Sequence, residues 1–220
     1  LIYVAEGSEV LILNTTMISG KVLQGSGGAI YIQGSDNYPP VVNITSSIVE
    51  SCHGDQSGGG IFSTGNAVIN VQSSTFTSNS GEVGGAVSVF LGSIHATINL
   101  NGVLFEKNIA TAHGGAIYAE KLNVNIYGST FQRNVANTGQ GEDIYITSGT
   151  NLKLLGGNNK FEQDINLNDC SLFCIRCALD DETPYTNPDA LIFEASVCYN
   201  SANHNADNNC AIGKFGESID

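Results

Sequence analysis

The chain has 220 residues with a formal net charge of −13, 26 glycines and no tryptophan. Eight basic against 21 acidic side chains exclude nucleic acid and anionic membrane surfaces as partners, because both need clustered Lys and Arg. Only 13% of residues are charged while 41% are hydrophobic, a balance that supports one sizeable packed domain and argues against disorder. The longest apolar runs, Val10–Leu13 and Ala190–Phe193, are far too short to span a bilayer. The chain starts at Leu1 and its single methionine is Met17, which reads as a segment with any targeting sequence already removed.

From its first residues the chain is inside a repeat, since Ile2-Tyr3-Val4 matches Ile30-Tyr31-Ile32 and Ile117-Tyr118-Ala119. A strand is predicted next, around Val10–Ile12, with equivalents at Val42–Ile44, Ile69–Val71, Ile98–Leu100 and Val124–Ile126. The two outer positions of each triplet are β-branched or Leu, so they share one face. The middle position reads Leu11, Asn43, Asn70, Asn99 and Asn125 and points the other way. Then comes a large apolar residue followed, after two variable residues, by Asn: Phe76/Asn79, Phe105/Asn108 and Phe131/Asn134, with weaker copies at Met17/Gly20, Val49/Cys52 and Phe161/Asp164. A glycine-pair element closes each repeat: Gly-Gly-Ala-Ile at 27–30 and 114–117, Gly-Gly-Gly-Ile at 58–61, Gly-Gly-Ala-Val at 84–87 and a worn Gly-Glu-Asp-Ile at 141–144. After it runs another strand, with Ile30, Ile61, Val87, Ile117 and Ile144 on one face and Tyr31, Phe62, Ser88, Tyr118 and Tyr145 on the other. Turns are expected at Ser63–Asn66, Leu91–Ser93 and Ser148–Asn151.

A recurrence every 26–32 residues or so marks a stacked architecture in which no single coil can bury its own apolar face. The expectation is an all-β parallel solenoid over residues 1–165, with three short strands per coil and about six coils, hence roughly 30 Å long. The Asn79, Asn108 and Asn134 column reads as an internal amide ladder, each side chain bonding the next coil, or else as exposed turn asparagines.

The alternation of Gly-Gly-Ala-Ile with Phe-x-x-Asn resembles the repeats of the chlamydial polymorphic outer membrane proteins, which also occur in surface proteins of other bacteria and some protists. The resemblance covers about residues 1–165 and is best at 76–87 and 105–117. It implies a right-handed parallel β-helix displayed outside the cell, with adhesive or structural duties. No β-barrel translocator accompanies it, and the cysteine-rich segment 166–220 lies outside the repeat pattern; that segment reads as a cap or as an inter-subunit element.

Six cysteines, Cys52, Cys170, Cys174, Cys177, Cys198 and Cys210, point to disulfides and an oxidising, extracellular location. The Cys170-x-x-x-Cys174-x-x-Cys177 run could be a metal site, but the acidic context favours disulfides. Cys52 stands alone in the repeats, as a buried thiol, a partner of a tail cysteine, or a bridge to another subunit. Asn14-Thr15-Thr16 and Asn43-Ile44-Thr45 are N-glycosylation sequons at positions expected to be exposed. No enzyme is expected: the outward columns carry Asn, Ser, Thr and Tyr, not the carboxylate pairs of polysaccharide-cleaving enzymes, and neither Arg133 nor Arg176 has an evident carboxylate partner at repeat spacing. His53 and His113 are expected in turns before the glycines, and no metal or cofactor is indicated. The aromatic column could bind carbohydrate or a cell-surface ligand, or merely brace the sheet. Ile2, Tyr3 and Val4 form an uncapped strand edge, which suggests head-to-tail self-assembly into a fibre, possible covering strands being Ala190–Val197. The function expected is thus an extracellular structural subunit, with a monomeric adhesin as the alternative and a polysaccharide-degrading enzyme third.

Overall fold

The computed structural model describes residues 1–90, 95–137, 140–147, 149–155, 159–162 and 165–167. Within them every helix is absent and the strands pair in parallel, building four sheets that run the length of a β-solenoid. Sheet A stacks Ile2–Val4, Ile30–Gln33, Ile61–Thr64, Val87–Phe90, Ile117–Ala119, Ile144–Ile146 and Ile165–Leu167. Sheet B stacks Glu9–Leu13, Val41–Thr45, Val68–Gln72, Thr97–Asn101, Asn123–Tyr127 and Asn151–Leu155. Sheet C holds the large apolar residues in Thr16–Ile18, Ile48–Glu50, Thr75–Thr77, Leu104–Glu106, Thr130–Gln132 and Lys160–Phe161. Sheet D follows with Lys21–Val22, His53–Gly54, Ser80–Val83, Ile109–His113 and Val135–Ala136.

The β-helix is therefore as expected, but each coil has four strands where three were predicted. The fourth was hidden because its inward positions are Gly54, Gly81, Ala110 and Ala136, all buried and too small to give a hydrophobic pattern. They are small because sheet D lies tight against the glycine corner: a Cβ on Gly81 would sit 3.2 Å from the Gly58 nitrogen. His53 and His113 accordingly lie in strands, not turns. The turns expected at Leu91–Ser93 and Ser148, the Asp164 copy and all of 168–220, including Cys170, Cys174, Cys177, Cys198 and Cys210 and the Ala190–Val197 strand, fall outside the described residues.

Equivalent residues lie directly over one another. Val10, Val42, Ile69, Ile98, Val124 and Leu152 form one inner row, and Ile12, Ile44, Val71, Leu100, Ile126 and Leu154 the next. From Val42 onward all are buried, each contributing roughly 2–3 kcal/mol by leaving water. In sheet C the rings of Phe76, Phe105, Phe131 and Phe161 stack at 5.1, 4.7 and 4.8 Å between centroids, within 17° of parallel. Ring stacking of this kind adds about 0.5–1.5 kcal/mol per pair beyond burial.

The asparagine column is the internal ladder. Asn79, Asn108 and Asn134 are all at most 1% exposed. The Asn79 amide donates to the Val49 carbonyl (3.0 Å) in one neighbouring coil and to Asn108 Oδ1 (3.0 Å) in the other. Asn108 repeats this with the Phe76 carbonyl and Asn134 Oδ1. Each Oδ1 also accepts a backbone N–H one coil back: Cys52 to Asn79, Asn79 to Asn108 and Asn108 to Asn134, at 3.0–3.1 Å. At the far end Asn134 Nδ2 donates to buried Asp143 Oδ1 at 2.8 Å. The worn Gly-Glu-Asp-Ile copy thus supplies a carboxylate that ends the ladder where no further asparagine can accept.

A second corner row joins sheets B and C and was missed from sequence. The hydroxyl of Ser47 accepts the Thr15 N–H, Ser74 that of Ser47, and Ser129 that of Val103, while Asn159 Oδ1 accepts the Ser129 N–H. Its signal was a small polar residue two before the large apolar one in every copy but that of Phe105, where Val103 stands. The residues entering both corners have positive φ, including Ser46, Ser51, Ser73, Ser78, Lys107 and Arg133. Such strain persists because the ladder residue that follows is held from both sides.

At the glycine corner the first glycine has φ of 60–73° in all five copies. The second is needed for space: a Cβ on Gly85 would overlap the Gly115 carbonyl and lie 2.6 Å from the Ile109 nitrogen in the next coil's sheet D. The worn copy carries Glu142, which already has a Cβ, at the equivalent place.

Two substitutions test this architecture in urea titrations. Gly85→Ala should cost about 3–5 kcal/mol by forcing coils apart, whereas Glu142→Ala should stay within about 1 kcal/mol. Asn108→Ala should cost about 2–4 kcal/mol, since it strands buried groups on Asn79, Asn134 and Phe76 without partners.

Candidate interaction faces

The inward side chains are consumed by stacking, so chemistry with other molecules falls to the outer faces. On sheet A the outward aromatics form a continuous column. Tyr3, Tyr31, Phe62, Phe90, Tyr118 and Tyr145 follow one another with centroid separations of 5.6, 5.2, 5.9, 4.8 and 5.6 Å. The expected gap at Ser88 is closed by Phe90 from the same strand, and Ser88 is buried beneath with its hydroxyl unpartnered. His113 caps Tyr145 at 4.5 Å, and burial lowers its pKa, keeping the stacked imidazole neutral. Burial, with Glu120 and Tyr145 nearby, pushes the Tyr118 phenol up to about 12. Because the rings stack on each other, their faces are covered and only edges point outward. Sugar binding by stacking on Tyr118 therefore has no open ring face. Tyr3, at 58% exposed, ends the column, and its hydroxyl donates to Gln33 Oε1.

Of the remaining edge residues, Ile2 is partly exposed and Val4 is buried in the inner row. Outward apolar side chains gather on the same first coil: Leu11, Leu13, Ile18 and Leu23 are all exposed.

Sheet D carries a hydrogen-bonded set that sequence reasoning did not find, because its members lie in different coils. His53 Nδ1 is 2.9 Å from Ser80 Oγ, and His53 Nε2 is 3.2 Å from Asp55 Oδ1. The Gln24 N–H, at 3.1 Å, and His53 hold the Asp55 carboxyl below the usual carboxylate range. The order of groups is that of a nucleophile, base and orienting carboxylate. Acyl chemistry would also need N–H groups aimed at an oxyanion. The nearby Ser80, Glu82, Gln56 and Ile109 N–H groups bond carbonyls of adjacent strands, and the His53–Ser80 contact links two neighbouring coils.

Arg133, expected to lack a carboxylate partner, has two: its guanidinium is 3.5 Å from Glu106 Oε1, and its N–H donates to Glu162 Oε2 at 3.0 Å. Glu106 also meets Lys107 at 3.5 Å. These exposed pairs contribute little to stability.

Cys52 is a buried thiol, free among the described residues. It replaces asparagine in the ladder column, so its sulfur points inward and donates weakly to the Glu50 carbonyl at 3.4 Å. Burial raises its pKa and suppresses the reactive thiolate. Among the described residues no three His, Cys, Asp or Glu side chains gather as a metal site.

Of the sequons, Asn14 sits exposed at the corner after its sheet B strand with φ of 48°. Asn43 begins a second amide row, on the outside of sheet B: Asn70 donates to Asn43, Asn99 to Asn70 and Asn125 to Asn99, each at 2.8 Å. The polarity of the row leaves the Asn43 nitrogen facing Leu11, whose side chain cannot accept.

A comparison with protein-family models matches residues 102–120 to the Chlamydia polymorphic membrane protein repeat. That stretch spans Phe105, Asn108 and Gly114-Gly115-Ala116-Ile117, the stacked ring, the ladder amide and the glycine corner of one coil. No curated protein and no solved structure matches the chain. With its repeat match and its parallel solenoid, the chain is a β-helix repeat protein similar to the polymorphic outer membrane proteins.

Proposed function

We propose that this protein is a non-catalytic structural β-helix displayed at the cell surface, a subunit that joins end to end into a fibre or coat. The family of the matched repeat is associated with the outer membrane and surface of Chlamydia, which supports surface display. The observation that carries the structural reading is the register. Every coil meets the next through the same backbone rows in four sheets at once. The first coil, Ile2–Val4, Glu9–Leu13, Thr16–Ile18 and Lys21–Val22, carries that same pattern, with Tyr3 stacked on Tyr31 in the aromatic column. Parallel edges with apolar flanks recruit other strands. A second copy of the chain is the partner of matching period, and the exposed Leu11, Leu13, Ile18 and Leu23 flank the joint.

Electron microscopy of the purified chain should reveal linear polymers, and Tyr3→Glu should shorten them by placing a charge in the joint. Separate particles one rod long at every concentration would remove the polymer and leave surface display.

Asn14 and Asn43 serve in this reading as glycan carriers, since Asn14 is exposed and Asn43 lies part-exposed on the outer face of sheet B. Secretion from a eukaryotic host should give two shifts on endoglycosidase digestion, each abolished by Asn14→Gln or Asn43→Gln. Unshifted protein would leave the sequons unused.

A further inference from the structure

We propose that Tyr3 and Tyr31 are a site of oxidative cross-linking, joined carbon to carbon between the first two coils by a peroxidase acting with hydrogen peroxide. The two are register partners on neighbouring strands of sheet A. Their rings lie 5.6 Å apart between centroids and 14° from parallel. The Tyr3 hydroxyl donates to Gln33 Oε1, on the strand Ile30–Gln33 that also carries Tyr31, and this holds the Tyr3 ring over the second coil. Tyr3 is 58% exposed and Tyr31 half-buried, so an oxidant reaches the phenols from outside.

Each phenol gives up one electron and one proton, leaving a phenoxyl radical whose unpaired electron is shared with the ring carbons ortho to oxygen. The two radicals pair through one ortho carbon of each ring. The hydrogen on each joined carbon then leaves as a proton while the oxygen of the same ring regains one from water, restoring two phenols. Hydrogen peroxide takes up the two electrons and two protons and becomes two waters, so the chain loses two hydrogens in all. Bringing the rings edge to edge needs rotation about side-chain bonds, which exposed residues make within picoseconds to nanoseconds. The product ties the first coil to the second and, like a disulfide, restricts the unfolded chain.

What surrounds the pair directs the oxidant to it. The chain has no tryptophan, Met17 is half-buried, and Cys52 is buried with its thiol pKa raised. Tyr38 and Tyr127 are exposed, but neither stacks on a second tyrosine among the described residues. Tyr118 and Tyr145 repeat the geometry at 5.6 Å and 9°. There, however, Tyr145 is only 6% exposed, and burial raises the pKa of both phenols, so oxidant and water are kept from that pair. Phe62 and Phe90 stand between the two tyrosine pairs and have no hydroxyl to oxidise, so a radical formed at Tyr31 stays beside Tyr3.

Treatment of the dilute whole chain with a haem peroxidase and hydrogen peroxide tests the proposal, using an equal mixture of heavy-isotope-labelled and unlabelled protein. Expected are the fluorescence of a biphenol and a tryptic peptide 1–21 joined to 22–107, two hydrogens lighter than their sum and of one label only. Tyr3→Phe and Tyr31→Phe keep the stacked ring and remove only the hydroxyl, and each should eliminate this product. Tyr38→Phe and Tyr145→Phe should leave its yield unchanged. No coupling in the wild type, a joined peptide that survives Tyr3→Phe, or joined peptides carrying both labels in place of one would each overturn the proposal.

Discussion

The structure depends on one constraint: a buried amide can be satisfied only by the same amide one coil away. Asn79, Asn108 and Asn134 are sealed from solvent, and each pairs with the amide of a coil beside it. A slip of one residue in any coil would leave their donors and acceptors unpaired at once, at about 1–3 kcal/mol for each group. The same slip would turn the inward Val, Ile and Phe of that coil to the outer face. Polar satisfaction and side-chain alternation therefore set the register together, and burial of Val, Ile and Phe supplies most of the stability.

The same logic explains the irregular copies. Cys52 keeps the ladder's backbone bond to Asn79 but offers no amide, so the ladder begins there. Asp143 ends it with an oxygen that accepts and has nothing to donate when ionised. The departures in the 141–144 copy thus include a carboxylate that takes the place of an amide as acceptor.

Stacking also decides where function can reside. Inner rings and amides are spent on each other, and on sheet A even the outward rings are spent, each covering the face of the next. What is left for partners is the exposed apolar side chains of the first coil and the outer amide row of sheet B. The Ser80, His53 and Asp55 cluster shows the opposite case, a familiar set of groups whose surrounding N–H donors are all committed to the sheet.

Repetition is what the amino-acid sequence alone determined. Because side chains alternate along a strand and like stacks on like, the inner rows, the phenylalanine stack and the asparagine column could all be read from spacing, and the single-coil match at 102–120 falls on those residues. The fourth strand could not, because Gly54, Gly81, Ala110 and Ala136 give no hydrophobic contrast. Nor could contacts that depend on how far a side chain reaches between coils: Phe90 filling the place of Ser88, Arg133 meeting Glu106, His53 meeting Ser80. Only the folded coil decided which side chains meet across coils, since a residue's row follows from its register but the direction of its side chain follows from what already occupies the space beside it.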